Sequence, residues 1–254
     1  MAFQKHNAHF LALSLNGLAR LTNVRRSSAM KLDGTFFCND RRKACMDSLV
    51  RSSEELSRMF RNVPTTLSAA VLVPFCINRG GEPAVLLTLR SRSLARHGGF
   101  ISFPGGIADK SDGSAMETAL RETEEELGIA PANVDVWGSL ESLPSLGSTI
   151  SVTPVVGFVK SKSLMEELTV NEDEVEKVFM PSLRSLCDPR DWEYTCWKYP
   201  GVPDHASPVF VLNGDERIWG LTARILHLCM ASILPELYCR SYPALNVTNG
   251  GSKL

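Results

Sequence analysis

The stretch Ala115-Met-Glu-Thr-Ala-Leu-Arg-Glu-Thr-Glu-Glu-Glu-Leu-Gly128 says more about the fold than any other part of this 254-residue chain. Its apolar and small side chains recur at spacings of three and four, which predicts an amphipathic helix over 114–127 with one buried stripe. Gly128 suits the end of that helix, because glycine readily adopts the left-handed conformation of a C-terminal cap. The predicted stripe consists of Met116, Ala119, Leu120, Thr123 and Leu127.

The opposite face of this helix is crowded with negative charge. Glu122 and Glu126 lie four residues apart and Glu125 adjoins them, a spacing at which like charges destabilise a helix. Carboxylates in the last turn also oppose the helix dipole. Arg121 can offset part of this by pairing with Glu117 or Glu125. A divalent cation would remove the conflict, since hard cations take carboxylate oxygens; the alternative is an acidic face that is only solvated.

A glycine pair precedes the helix in Ser102-Phe-Pro-Gly-Gly106. Two glycines after a proline let the backbone approach a ligand closely, and a free carbonyl there is a further candidate metal ligand. Asp109 and Asp112 follow in the loop that leads into the helix. The order is therefore a Gly-Gly turn, an acidic loop, and a helix that contains Arg-Glu-x-x-Glu-Glu-x-Gly.

The segment from Gly106 to Ile129 resembles the Nudix box, whose pattern is Gly, five residues, Glu, seven residues, then Arg-Glu-U-x-Glu-Glu-x-Gly-U. The second half matches in place, with Thr123 where an aliphatic residue is usual. In the first half one extra residue lies between Gly106 and Arg121. The early Glu is missing, and Asp112 is the nearest acid to it.

The altered first half resembles the pattern of one branch of the family, the coenzyme A diphosphatases. These proteins have Gly-Gly-x-x-Asp-x-x-Asp before Thr-Ala-x-Arg-Glu. The branch has a second signature upstream, and here it reads Leu86-Leu-Thr-Leu-Arg-Ser91, His97-Gly-Gly99 and Phe103-Pro-Gly-Gly106. The basic residue expected just before the histidine is displaced, with Ala95 in the commoner place and Arg96 beside it. The resemblance covers about residues 65–235. Within the branch, the chain is similar to the mitochondrial motif-8 type.

The resemblance implies an α/β chain with the Nudix fold, a mixed β-sheet sandwiched between helices (α/β/α). It implies Mg²⁺- or Mn²⁺-dependent hydrolysis of the diphosphate bond of coenzyme A and acyl-CoA, which gives 3',5'-ADP and (acyl-)4'-phosphopantetheine. The implied metal ligands are Glu122, Glu126 and Glu125. The implied catalytic residues are Glu125, Arg121 and Glu174, with Glu172 as another candidate for the general base. The implied substrate-binding residues are Arg90, His97, Gly105 and Gly106. The alternative for Arg90 and His97 is a structural role in which they pair with the loop aspartates, Asp109 and Asp112.

Two other functions remain open at this stage. One is a Nudix hydrolase that acts on another nucleoside diphosphate derivative, such as ADP-ribose or a dinucleotide cofactor. The other is a Nudix-fold binding module without catalysis, against which the intact glutamates argue.

The remaining periodicity predicts a β-hairpin followed by interleaved strands and helices. Its strands are Leu67–Cys76 and Ala84–Leu89, joined by the turn cluster Asn78-Arg-Gly-Gly-Glu-Pro. Further strands are expected at 100–103, 134–137, 151–159, 174–180, 192–198 and 209–212, and a helix at 221–234. The predicted organisation is an N-terminal helix over 36–62, a Nudix domain over 63–237 and a flexible tail over 238–254.

Composition excludes several classes of protein. A net charge of -1 argues against binding of nucleic acid by bulk electrostatics. No apolar run reaches the roughly 18 residues that a membrane-spanning helix needs. The 7 cysteines contain no Cys-x-x-Cys pair, so neither a zinc ribbon nor a disulfide framework is indicated. We expect a monomer or a homodimer.

The two ends of the chain suggest different destinations. The segment 1–35 is basic and has no acid before Asp33, which is typical of a mitochondrial transit peptide or of a basic disordered tail. The chain ends in Ser252-Lys253-Leu254, the tripeptide that the peroxisomal import receptor reads. We therefore expect the mitochondrion, the peroxisome or both.

Overall fold

The computed structural model describes residues 32–33, 35–60, 65–94, 97–145, 148–161, 163–199, 202–212, 216–238 and 240. Its helices are α1 (Asn39–Phe60), α2 (Ala115–Leu127), α3 (Leu164–Glu167), α4 (Leu183–Leu186) and α5 (Gly220–Ile233). The first seven strands are β1 (Leu67–Ile77), β2 (Pro83–Val85), β3 (Leu87–Arg90), β4 (Ile101–Ser102), β5 (Gly105–Ile107), β6 (Val134–Ser139) and β7 (Leu143–Pro144). The others are β8 (Ile150–Val159), β9 (Val175–Phe179), β10 (Trp192–Tyr199), β11 (Val202–Val211) and β12 (Arg217–Ile218).

The main sheet is mixed and has the order β2-β1-β8-β6, with β5 paired to β1 and β7 paired to β8. Its centre is the parallel pair β1 and β8, in register from Leu67 opposite Ile150 to Phe75 opposite Phe158. The other pairs are antiparallel. Both central strands are rich in apolar residues, above all valine, because they are covered on both faces, as parallel strands usually are.

Helices cover both faces of this sheet. Leu72 of β1 belongs to the apolar cluster beneath α2, which also contains Ala119 and Leu127. The next residue, Val73, points the other way, into the larger cluster formed with α1 and α5, because successive side chains of a strand alternate between its faces. The expected three-layer α/β/α arrangement is confirmed.

Two smaller sheets, β4-β3-β9 and β10-β11-β12, complete the described part. The predicted strand Ala84–Leu89 is in fact two strands. β2 pairs with β1 as the second arm of the hairpin, whereas β3 leaves the main sheet and pairs with β9. Both halves of the segment are buried, so their apolar pattern could not reveal where the chain changes sheets. This change of sheet carries Arg90 away from the hairpin towards α2.

Two predicted boundaries need correction. The N-terminal segment 1–35 was expected to lie outside the fold, but Leu32 is buried in the core. The tail was expected to start at residue 238, but Tyr238 and Arg240 are also buried, and the Arg240 guanidinium donates to the carbonyl oxygens of Glu193 and Val209. The rest of both end segments lies outside the described residues. Within the described residues, no helix is long and apolar enough to cross a membrane.

Candidate active site

Helix α2 begins and ends as its sequence predicts. The Ser114 side chain accepts a hydrogen bond from the backbone N–H of Glu117 at 3.2 Å and caps the first turn. At the other end Gly128 adopts the left-handed conformation, with φ of 70°, and its N–H donates to the Glu124 carbonyl. The prediction that Met116 belongs to the buried stripe is wrong. This side chain lies in the first turn, beside the loop that enters the helix, and is exposed.

The position of Glu126 is the main correction to the sequence analysis. The prediction placed Glu126 on an exposed acidic face, but its side chain is only 1% exposed. It follows Thr123 by three residues and Ala119 by seven, so it shares the face that packs on the sheet. The buried stripe is wider than the apolar residues alone indicated, and it contains a carboxylate.

The Glu126 carboxylate is only partly compensated. Its Oε1 lies 3.3 Å from Nη1 of Arg90, and the backbone N–H of Gly105 also donates to it. Among the residues that the structure describes, none is a hydrogen-bond partner of its Oε2. Burial raises the pKa of Glu126 to about 8, and the charges of Glu174 and Glu122 add to this, whereas Arg90 and Gly105 oppose it. A buried carboxylate oxygen without a donor is an unfavourable arrangement that a cation would correct.

The Gly-Gly turn fits closely around a second glutamate. A Cβ atom at Gly106 would lie 2.5 Å from the carboxylate of Glu122, so only glycine leaves room for that group. At Gly105, where φ is 146°, a Cβ would lie 2.3 Å from the backbone oxygen of Ala70. The two glycines therefore have different roles. Gly105 lets β5 pair with β1, and Gly106 makes room for Glu122.

Arg121 orients two of the glutamates. Its Nη1 donates to Glu122 at 3.0 Å and to Glu125 at 3.1 Å. Its Nε and Nη2 donate to Asp112 at 3.0 and 2.9 Å, and this contact holds the pKa of Asp112 well below its usual range. The predicted pairing with Glu125 is confirmed, whereas pairing with Glu117 is wrong, because Glu117 accepts from the backbone N–H of Gly113 instead.

Glu174 reaches the same place from a different part of the chain. The loop before β9 is tied to the end of α2, since the N–H of Asn171 donates to the Glu126 carbonyl at 2.9 Å. The Asn171 side-chain amide donates to Oε1 of Glu174 at 3.2 Å. Burial raises the pKa of both Glu122 and Glu126, and the charge of Glu174 makes a smaller contribution in the same direction. Asn171, which positions Glu174, was not among the residues expected at the site, because an isolated asparagine in a loop carries no sequence signal of this role.

Arg90 and His97, the two basic residues of the upstream signature, have different surroundings. Arg90 lies against Glu126, so the expected alternative, pairing with the loop aspartates, is wrong. His97 is exposed, has a φ of 56°, and its ring centroid lies 5.8 Å from that of Phe100. Glu172 is exposed in the turn before β9.

The residues present fit a hard cation by their chemistry rather than by their present spacing. Within the described ranges, no three His, Cys, Asp or Glu side chains are close enough together to hold a metal ion as placed. Arg121 holds two of the carboxylates, Glu122 and Glu125. The unpartnered Oε2 of Glu126 and the surrounding carboxylate oxygens form an oxygen-only donor set, which is what magnesium and manganese prefer.

A cavity of about 570 Å³ lies elsewhere, between β9 and the β10-β11 pair. Its lining includes Phe179, Trp192 and Phe210 but none of the glutamates of α2. The carboxylate cluster at α2 therefore lies outside this cavity.

A glycine turn packed on a glutamate-rich helix, in an α/β/α fold, is the arrangement that the resemblance to the Nudix family implies. Residues 66–197 match the NUDIX domain family. The chain belongs to the Nudix hydrolase family.

Named relatives show the same affiliation. The chain is 40% identical over 195 residues to the mitochondrial coenzyme A diphosphatase NUDT8 of Mus musculus, covering 76% of this chain and 88% of the relative. It is 42% identical over 174 residues to the protein of the same name in Homo sapiens, covering 67% of this chain and 71% of that one. Nudix hydrolase 3 of Caenorhabditis elegans is 31% identical over 228 residues, covering 85% and 94%.

Proposed function

We propose that this Nudix hydrolase cleaves the diphosphate bond of coenzyme A and acyl-CoA, giving 3',5'-ADP and (acyl-)4'-phosphopantetheine. One observation carries the proposal: Arg90, from the upstream signature, and Glu126, from the Nudix helix, meet in one ion pair. The two signatures that together mark the coenzyme A branch therefore contribute to a single site. The names of the relatives at 40% and 42% identity support the same substrate.

The proposed metal is Mg²⁺ or Mn²⁺, held by Glu122, Glu126 and Glu125 with a backbone carbonyl of Gly105 or Gly106. When bound, it would neutralise the charge of the diphosphate and acidify the attacking water. Arg121 is a positioning residue in this scheme, since it sets the orientation of Glu122 and Glu125 while Asp112 holds its other edge.

Glu174 is the proposed general base, with Glu125 as the other candidate. Asn171 donates to Oε1 of Glu174, which leaves Oε2 to accept the proton of the attacking water. Arg90 donates one hydrogen bond to Glu126. A guanidinium group has five N–H donors, so others can bind a phosphate oxygen of the substrate. The exposed His97 is a proposed contact for the 3'-phosphate.

The test is incubation with coenzyme A and Mg²⁺, with the products identified by mass, in parallel with ADP-ribose and a dinucleotide cofactor. Glu124→Gln is the matched control for Glu126→Gln, because Glu124 is exposed on the same helix. We expect the control to retain activity. Preferential cleavage of ADP-ribose or of the dinucleotide would refute the assignment, and binding without cleavage of any diphosphate would point to a non-catalytic module.

We also propose a mitochondrial location, supported by the basic acid-free N-terminus and by the mitochondrial relatives. The tripeptide 252–254 lies outside the described residues, and the names of the two relatives above that state a location give the mitochondrion. The test is to tag the protein internally and image cells before and after deletion of 252–254. An unchanged mitochondrial signal supports the proposal, and loss of a peroxisomal signal on deletion would contradict an exclusively mitochondrial location.

A further inference from the structure

Two exposed aromatic side chains touch each other beside the candidate active site. The ring centroids of Phe100 and Trp219 are 4.9 Å apart and the rings meet edge to face at 69°. The side chains remain 39% and 37% exposed. Large exposed aromatic side chains in contact are a feature of ligand-binding surfaces rather than of ordinary solvated surface.

The strand register places Phe100 next to Arg90. The Arg90 N–H donates to the Phe100 carbonyl at 3.0 Å, and β3 and β4 continue the ladder with Leu89 opposite Ile101. This hydrogen bond makes Phe100 and Arg90 backbone neighbours just beyond that last β3–β4 pair. Since Nη1 of Arg90 lies 3.3 Å from the Glu126 carboxylate, the Phe100 backbone is about one arginine side chain away from the carboxylate cluster.

Trp219 is held in place by rigid neighbours. It follows β12, whose Ile218 is fully buried and pairs with Phe210 of β11. It also precedes the first residue of α5, Gly220, whose φ is 64°. The pair therefore joins two elements far apart in the chain, and neither ring depends on the other for its backbone position.

We infer that Phe100 and Trp219 form a stacking platform for the adenine base of the substrate; this inference rests on the proposed function. The proposed substrate carries adenosine on one side of the bond that is cut, so a base must lie close to the diphosphate. A flat base stacks on aromatic side chains. The neighbouring His97 offers ring N–H groups to the base or to the adjacent ribose phosphate.

The main alternative occupant is the acyl chain or the pantetheine arm. An aliphatic chain gains from any apolar surface, whereas a base gains specifically from a ring face. Substitutions that keep apolar area but remove the ring therefore separate the two. Phe100→Leu and Trp219→Leu remove the ring, and Phe100→Tyr and Trp219→Phe keep it.

The experiment measures KM and kcat for coenzyme A, and Kd for 3',5'-ADP and for 4'-phosphopantetheine. Each leucine variant is expected to raise KM and the Kd of 3',5'-ADP about tenfold, the size of one lost stacking contact. We expect kcat and the Kd of 4'-phosphopantetheine to stay within about twofold, and the ring-preserving variants to resemble the wild type. Tyr194→Leu is the matched control, since Tyr194 is an exposed aromatic residue on β10.

Quenching of tryptophan fluorescence by 3',5'-ADP gives a second readout, and Trp219→Phe should reduce it without weakening binding. Unchanged binding of 3',5'-ADP in both leucine variants would overturn the inference. So would weaker binding of 4'-phosphopantetheine or of long acyl-CoA alone. If the wild type does not hydrolyse coenzyme A, yet 3',5'-ADP binds through these rings, the proposed function fails and the platform stands.

Discussion

Glu126→Gln is expected to abolish most activity and, in the absence of metal, to stabilise the protein at alkaline pH. The carboxylate is 1% exposed, one of its oxygens has no donor, and burial raises its pKa to about 8. Above that pH the metal-free wild type holds a buried charge that, in the described part of the chain, only Arg90 and the backbone N–H of Gly105 compensate. Glutamine has nearly the same shape and removes the charge.

The pH dependence follows from the direction of the shift. Because the pKa of Glu126 is higher in the folded protein than its ordinary value of 4.5, the folded state binds more protons between about pH 4.5 and about pH 8. Its contribution to the free energy of unfolding is therefore complete below pH 4.5 and is lost as the pH rises through 8. The full shift corresponds to an upper bound of roughly 5 kcal/mol. After relaxation and burial of the new amide, we expect a gain of about 1 to 2 kcal/mol at pH 8.5.

Chemical denaturation in a chelator, at about pH 5 and pH 8.5, measures this difference. The glutamine variant should match or fall below the wild type at pH 5 and exceed it at pH 8.5. Mg²⁺ should then raise the melting temperature of the wild type and of Glu124→Gln, but not of Glu126→Gln. Activity should fall at least 10²-fold, as for loss of a metal ligand. A variant that hydrolyses coenzyme A normally, or that is destabilised equally at both pH values, would refute the reasoning.

Two other predictions concern the backbone turn and a buried charge. Gly106→Ala should lower turnover while largely preserving the melting temperature, because its Cβ displaces the flexible Glu122 carboxylate; Gly105→Ala should lower the melting temperature, because its Cβ meets the fixed backbone of Ala70. Arg224 is 7% exposed and has no hydrogen bond or ion pair in the described part of the chain, and burial lowers its pKa to about 10. Arg224→Met should therefore raise the free energy of unfolding by about 1 kcal/mol, measured by denaturation at neutral pH, and a loss of more than about 2 kcal/mol would show that the charge is needed.

Features set by short-range periodicity could be predicted from the sequence. The ends of α2, the hairpin turn and the buried central strands all follow from spacing, capping and residue type within a few positions. The Gly-Gly turn was also recognisable, since its glycines are needed locally. The pairing of Arg121 with Glu125 lies within one helical turn and was predicted for the same reason.

Features that join distant parts of the chain could not be predicted in this way. Arg90 and Glu126 are 36 residues apart, and their contact depends on β3 leaving the main sheet, which the apolar pattern does not show. The burial of Glu126 depends on how much of α2 the sheet covers, and helical spacing gives the direction of a face but not its width. The contact between Phe100 and Trp219 needs two segments that are far apart in the chain to meet.

The distribution of charge explains why two separate signatures occur together in one chain. The cluster contains Glu122, Glu125, Glu126 and Glu174, and like charges so close to each other cannot all be ionised without compensation. Arg121 compensates the exposed side of the cluster, and Arg90 compensates the buried side. Neither arginine donates to the Oε2 of Glu126, so the negative charge on this oxygen is left uncompensated. The proposed cation would complete this compensation, because it would supply the partner that the Oε2 of Glu126 lacks among the described residues.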